Sequence, residues 1–243
     1  MRIIKLNAID STNSYLKKLV AETNPEDYTV VVTATQESGR GQMGTVWQSE
    51  PGKNLTCSVF KRTKSIALED NFIISMVVSI ALIKTLEYFQ IPKLNIKWPN
   101  DILSEQKKIC GILIENVIKS NTIEATIIGI GSNVNQIDFP GLPRATSMQL
   151  LRGKSFEIDE VLQKLMENLK IYFSNLKLDR KEKLKAIYLS LLFRKDKPST
   201  FADTSGNHLT GIIKGVSSTG HLEVLLEDEV IRYFNFKEIE LLY

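Results

Sequence analysis

The chain has 243 residues, of which 43% are hydrophobic and 24% charged, with 31 Lys plus Arg against 28 Asp plus Glu for a formal net charge of +3. That length buries a substantial core and suits one large and one small domain, while so slight a positive excess makes no electrostatic case for nucleic acid. The N-terminal Met-Arg-Ile-Ile-Lys-Leu-Asn has no signal-peptide core, and the apolar stretch 72–83 falls short of the roughly 20 residues that cross a bilayer, so a cytoplasmic chain without a membrane partner is expected.

In chain order, Ser11, Thr12 and Asn13 are N-cap residues ahead of Tyr15-Leu16 and Leu19-Val20, which predicts a helix. A strand is predicted over Thr29–Thr35 and another from Leu55 to Phe60. Apolar residues at the 3.6 period, from Phe72 through Met76-Val77, Ile80 and Ile83 to Leu86, mark a second helix. An extended segment at Asn95–Trp98 ends in a turn, because Pro99 disfavours helix at the residue before it. Strands follow at Ile109–Ile114 and Ala125–Ile130, and a third amphipathic helix runs from Ile158 to Phe173. The basic run Arg180–Lys185 reads as a solvated face. Lys195–Thr200 is the best linker, and beyond it Leu209–Val216, His221–Leu226 and Glu229–Phe236 are β-rich. The pattern predicts an α+β protein, a central mixed sheet with helices mainly on one face, in a domain of residues 1–196, followed by a small SH3-like barrel of residues 197–243.

The most informative segment lies between Gln36 and Trp47, where Gly39, Gly41 and Gly44 surround Arg40. Glycine lets backbone N–H groups approach an anion, and Arg40 adds a permanently charged planar fork. The spacing also satisfies Gly-x-Gly-x-x-Gly. A dinucleotide loop must open a helix, however, whereas Thr45-Val46-Trp47 is β-prone and a turn at Pro51-Gly52 follows. By itself the loop is equally well read as a surface hairpin.

Three further segments follow. Lys97-Trp98-Pro99-Asn100-Asp101 gathers a cation, an indole, an amide and a carboxylate at a strand end. Lys108-Ile-Cys-Gly-Ile-Leu-Ile-Glu115 begins with lysine and removes a side chain at Gly111. Ala125–Asn135 ends in Gly-Ile-Gly-Ser-Asn-Val-Asn. Cys57 and Cys110 share no metal or redox spacing and sit in apolar runs, and His208 and His221 are far apart, so neither a disulfide nor a zinc cage is expected.

Together these motifs resemble, in sequence order from Ser11 to Asn135, the biotin protein ligases, in their short form without an N-terminal DNA-binding domain; Gln136 to about Lys197 matches weakly. The resemblance implies a fold like that of class II aminoacyl-tRNA synthetases with an SH3-like terminal barrel. It also implies an activity in which biotin and ATP give biotinyl-5′-AMP plus pyrophosphate, after which biotin passes to a lysine of a biotin carboxyl-carrier domain. Mg²⁺ would come with the nucleotide, the carrier would be the protein partner, DNA would not bind, and a homodimer is compatible.

Carried over residue by residue, the resemblance puts Ser11, Thr12, Asn13, Gln36, Arg40, Gly41, Gln42, Lys108 and Gly111 at biotin. It puts Gly39, Arg40, Gly41, Gly44, Trp47, Lys97, Asn100 and Asn133 at ATP or the adenylate. Arg40 and Lys108 would neutralise charge during adenylation, and Asp101 would orient or deprotonate the incoming lysine. The loop departs from the pattern in having Gln42 and Met43 where many members carry a second basic residue. Lipoate or octanoate ligases and transferases are the rival in fold, and a non-catalytic biotin-binding protein the rival in class.

Overall fold

The computed structural model describes residues 2–119, 122–176 and 180–243. Its larger sheet contains β1 (Ile3–Ile9), β2 (Val30–Gln36), β3 (Leu55–Ala67), β4 (Leu94–Lys97), β5 (Asp101–Ser104), β6 (Lys107–Lys119) and β7 (Thr122–Ser132), in the order β1-β2-β3-β7-β6-β5-β4. β1 and β2 run parallel, with α1 (Thr12–Thr23) between them in sequence, and the other neighbouring pairs are antiparallel. The sheet is therefore mixed, as expected.

Period-two alternation sends the strands' side chains to two faces. Val30, Cys57, Val59, Ile128 and Ile130 belong to the main core with α2 (Phe72–Tyr88) and α4 (Ile158–Ser174). Val31, Phe60, Ala125 and Ile127 point the other way and pack with Leu16 of α1 in a smaller cluster. Two long helices thus cover one face, and a single helix covers part of the other. The uncovered remainder of that second face is where a ligand can lie.

α2 is apolar on nearly every side and contains neither Gly nor Pro, so burial, not amphipathicity, stabilises it. The helical run Leu68–Tyr88 is longer than the 72–83 stretch implied and has the length and apolarity to span a bilayer, but 72% of its apolar window is buried within the fold. Asn168 of α4 donates to Thr85 of α2 at 3.0 Å, satisfying a polar pair inside this packing.

The second sheet is antiparallel and holds β8 (Pro198–Asp203), β9 (His208–Val216), β10 (Leu222–Leu226), β11 (Ile231–Phe234) and β12 (Ile239–Leu242), ordered β11-β10-β9-β8-β12. This arrangement agrees with an SH3-like unit. It meets the first sheet through Trp98, whose Nε1 donates to the Gly220 carbonyl at 2.8 Å and whose ring lies 5.4 Å from that of Phe236. Gly220 has φ +96°, and a Cβ there would stand 2.6 Å from Phe72 Cδ2, so both conformation and space require glycine.

Some elements differ from the sequence reading. The basic run at 180–185 is not merely a solvated face: it opens α5 (Lys181–Ser190), in which Lys181 pairs with Asp70 and Leu184 and Tyr188 are buried four residues apart. β8 starts inside the polar stretch read as linker, because Ser199 and Phe201 alternate inward from it. β1, β5, β12 and the one-turn-plus α3 (Met148–Arg152) carried too short or too weak an apolar period to be predicted.

Candidate active site

The second face of the large sheet forms the floor of a cavity of about 590 Å³. Cross-strand register explains how its residues meet. Lys97, Asp101, Gly111, Gly131, Thr56 and Thr33 are successive partners across β4, β5, β6, β7, β3 and β2, and partners on adjacent strands share a face. The neighbouring row contains Ser58, Gly129 and Leu113. Three glycines in two adjacent rows leave a trough.

At one end of the trough is a polar bed. Ser11 caps α1 by accepting from Ser14 N at 3.4 Å, so the capping role read from sequence is real, and the same residue also lines the cavity. Asn13 projects onto Gly129, where a Cβ would approach its Oδ1 to 2.5 Å. Ser58 Oγ donates to Asn13 Oδ1 at 2.5 Å and lies 2.7 Å from Thr12 Oγ1. Gln36 Oε1 accepts from the Thr12 backbone N–H at 2.9 Å and faces its hydroxyl at 3.2 Å. Ser58 escaped the sequence reading. An alternating Leu-Thr-Cys-Ser strand looks ordinary until register puts its hydroxyl beside Asn13.

At the middle stand the charged groups. Lys108 Nζ is 2.7 Å from Asp101 Oδ1, an ion pair without an aligned hydrogen bond. The backbone of Lys108 is fixed on both sides, its N–H donating to Arg144 O at 2.7 Å and its carbonyl accepting from Thr146 N at 2.9 Å. Lys97 is half-buried and its Nζ lies 4.7 Å from the centre of the Tyr243 ring. Burial pulls its pKa below the ordinary lysine value, against the opposing pull of the Asp101 and Glu240 charges. Asn100 donates to Ile112 O at 2.8 Å, which clips the turn after β4 to β6.

The glycine loop closes the cavity as a hairpin. Arg40 bridges Val46, Gly41 N donates to Thr45 O at 2.7 Å, and Trp47 N to Gly39 O at 3.0 Å. A Cβ on Gly39 would meet Trp47 O at 2.2 Å and one on Gly41 would meet Thr45 Oγ1 at 2.3 Å. These two glycines therefore serve the hairpin's own close packing, and the Gly41 N–H is engaged within the loop. Trp47 lies over the trough: a Cβ on Gly131 would be 2.2 Å, and one on Gly111 3.0 Å, from its indole carbons. Its Nε1 is buried without a hydrogen-bond partner. Arg40 reaches Glu115 on β6, Nη2 to Oε2, at 3.1 Å, and the same oxygen accepts from Asn13 Nδ2 at 2.8 Å. Glu115 also went unremarked in the sequence, where it was only the last residue of an apolar strand.

Of the residues expected at the site, Ser11, Thr12, Asn13, Gln36, Arg40, Gly41, Gln42, Trp47, Lys97, Asn100, Asp101, Lys108 and Gly111 all line this cavity. Gly39, Gly44 and Asn133 stand outside the lining; the Asn133 amide is buried and donates to Thr146 O at 2.9 Å, tethering the loop that pins Lys108. The cavity also reaches the second sheet, taking in Asp203, Lys237 and Glu240, which no motif signalled. Among the described residues no three His, Cys, Asp or Glu side chains converge as a metal cage. Burial pushes the thiols of Cys57 and Cys110 up to about 12, far from the thiolate form a nucleophile needs.

Residues 6–133, which hold this floor and loop, match the sequence profile of the biotin/lipoate A/B protein ligase family. The chain belongs to that family. It is 34% identical over 168 residues to the bifunctional ligase/repressor BirA of Bacillus spizizenii, a match covering 68% of this chain and 51% of that one, so the chain spans about half that relative's length. It is 28% identical over 221 residues to the biotin--[acetyl-CoA-carboxylase] ligase of Paracoccus denitrificans, covering 88% and 90% of the two chains. The biotin protein ligase of Aquifex aeolicus, in a structure with biotin and ATP, superimposes with a TM-score of 0.82 at 28% identity, over 99% of this chain and 98% of that one. The fold of the family thus extends across both sheets.

Proposed function

We propose that this chain is an ATP-dependent biotin protein ligase. Biotin's carboxylate attacks the α-phosphorus of ATP, pyrophosphate leaves, and the mixed anhydride biotinyl-5′-AMP forms; a carrier lysine amine then attacks its carbonyl and AMP leaves. The observation that carries the substrate choice is the polar bed of Thr12, Asn13, Gln36 and Ser58. A ureido ring offers one acceptor and two donors to such a bed. A lipoyl or octanoyl chain offers none and leaves these groups facing hydrocarbon, a mismatch that polar sites reject strongly.

The chemistry requires orientation and charge neutralisation without a covalent enzyme intermediate. In this reading, the head group sits over Gly129 and the tail runs along the trough of Gly111 and Gly131 toward Lys108. Lys108 and Arg40 neutralise the carboxylate and α-phosphate. Lys97 meets the phosphates, and an anion beside it favours its charged form against the burial that disfavours it. Trp47 packs at the adenine, and Asp101, released from Lys108, orients the carrier's lysine amine. Mg²⁺ comes with the nucleotide and spreads phosphate charge when bound. A biotin carboxyl-carrier domain in the cytoplasm is the partner.

The buried Cys57 and Cys110 speak against a cysteine-dependent acyl transferase, and the Lys108–Asp101 pair, which biotin binding alone does not need, against a non-catalytic binder. The test is transfer: a purified carrier domain, incubated with the chain, biotin and MgATP, should gain one biotin on one lysine by mass spectrometry. No gain, in the presence of a carrier that another biotin ligase modifies, overturns the proposal.

A further inference from the structure

Glu115 is not used by the reaction described above, yet it sits between two groups assigned to substrate. It stands on the cavity face of β6, opposite Ile127 on β7 and two residues beyond Leu113. Its Oε2 takes hydrogen bonds from both Asn13 Nδ2 at 2.8 Å and Arg40 Nη2 at 3.1 Å, and Lys17 Nζ lies 3.9 Å from Oε1. We propose that Glu115 is a positioning residue that fixes the orientation of the Asn13 amide and holds Arg40 until substrate arrives, whose own anion then takes Arg40 over.

The first half follows from donor and acceptor chemistry. An amide can face either way, but a carboxylate has no proton to give, so only the Nδ2 end can point at Glu115. The other end then faces the Ser58 hydroxyl, which donates to Oδ1. With its direction set from both sides, Asn13 presents one arrangement to a head group rather than two.

The second half follows from exposure. The Arg40 and Glu115 side chains are 46% and 24% exposed, and one guanidinium nitrogen makes the contact. Such a pair is weak, whereas a phosphate or carboxylate on the ligand can engage the planar fork with two bonds at once. Glu115 therefore holds the hairpin near its working place without competing strongly with substrate. The identity of the incoming anion rests on the ligase reading; the holding contact does not.

The experiment compares wild type with E115Q and E115A. A glutamine keeps a carbonyl to accept from Asn13 but gives up the charge that holds Arg40. Tryptic cleavage after Arg40, followed by mass spectrometry without ligand, should accelerate about two- to fivefold in E115Q, the scale of a half-exposed ion pair. Biotin plus MgATP should restore protection. In biotin-dependent ATP–pyrophosphate exchange, E115A should raise the KM for biotin about tenfold and E115Q should recover most of that loss. Unaltered cleavage in E115Q, or a KM for E115Q as high as that of E115A, overturns the assignment. If E115A does not fold, cleavage of E115Q decides alone. Faster cleavage in E115Q together with no biotin-dependent exchange in wild type upholds the holding contact and sinks the ligase reading instead.

Discussion

The two walls of the cavity are built on opposite principles. The polar bed sits on the rigid centre of the sheet and on the first turn of α1. Thr12, Asn13 and Ser58 are each under 5% exposed and hydrogen-bonded to one another or to Gln36. The loop wall, from Gly39 to Trp47, is a short hairpin that holds itself by three backbone bonds and reaches the sheet through a half-exposed ion pair and the Trp47 ring. A site made this way can separate its tasks. In the proposed reaction the preorganised bed would decide which acid is accepted, while the loop, with little to break when it moves, would retain the reactive intermediate.

Substitutions can pull that contrast apart. The largest effect is expected where both walls meet, at Lys108: Lys108→Ala should lower the single-turnover adenylation rate by about 10²- to 10³-fold, as when one preorganised donor to a developing charge is lost. A change below about threefold would return Lys108 to the role of a solvated strand end. In the bed, Gly129→Ala places a methyl 2.5 Å from Asn13 Oδ1 and should raise the KM for biotin by about tenfold or more while sparing that for ATP. Equal rises for both substrates would mean the bed and the nucleotide end are not separate.

Loop changes should appear in retention instead. Arg40→Ala removes a charge-assisted contact and should speed dissociation of biotinyl-adenylate by about tenfold, measured by trapping released adenylate. Gln42 lines the same cavity without a charge, and Gln42→Arg should slow that dissociation by about two- to fivefold, the scale of an exposed ion pair. An off-rate unaffected by Gln42→Arg would show that this side chain turns from the ligand.

Much of this was legible in the sequence because the signals were local. Ser11 caps α1, the 3.6-residue stripes became α2 and α4, and Lys97 to Asp101 is a turn between two strands. What was not legible depended on register. Ser58 and Glu115 are unexceptional within their own strands and gain meaning only from Gly129 and Asn13 across the sheet. The same holds for the loop: its glycines promised backbone N–H groups for an anion, yet they are needed where the hairpin crosses itself, Gly39 against Trp47 eight positions on and Gly41 against Thr45 four positions on. α5 was hidden because a charged run opens it and only Leu184 and Tyr188 anchor it in the core.

In the proposed reaction the bed, through groups that a hydrocarbon tail cannot satisfy, selects the acid that is activated. Acid-dependent exchange of labelled pyrophosphate into ATP tests it most directly, with biotin, lipoate and octanoate supplied in turn at the same concentration with Mg²⁺. Exchange is expected with biotin, and none above background with lipoate or octanoate. Exchange with octanoate equal to that with biotin would contradict it.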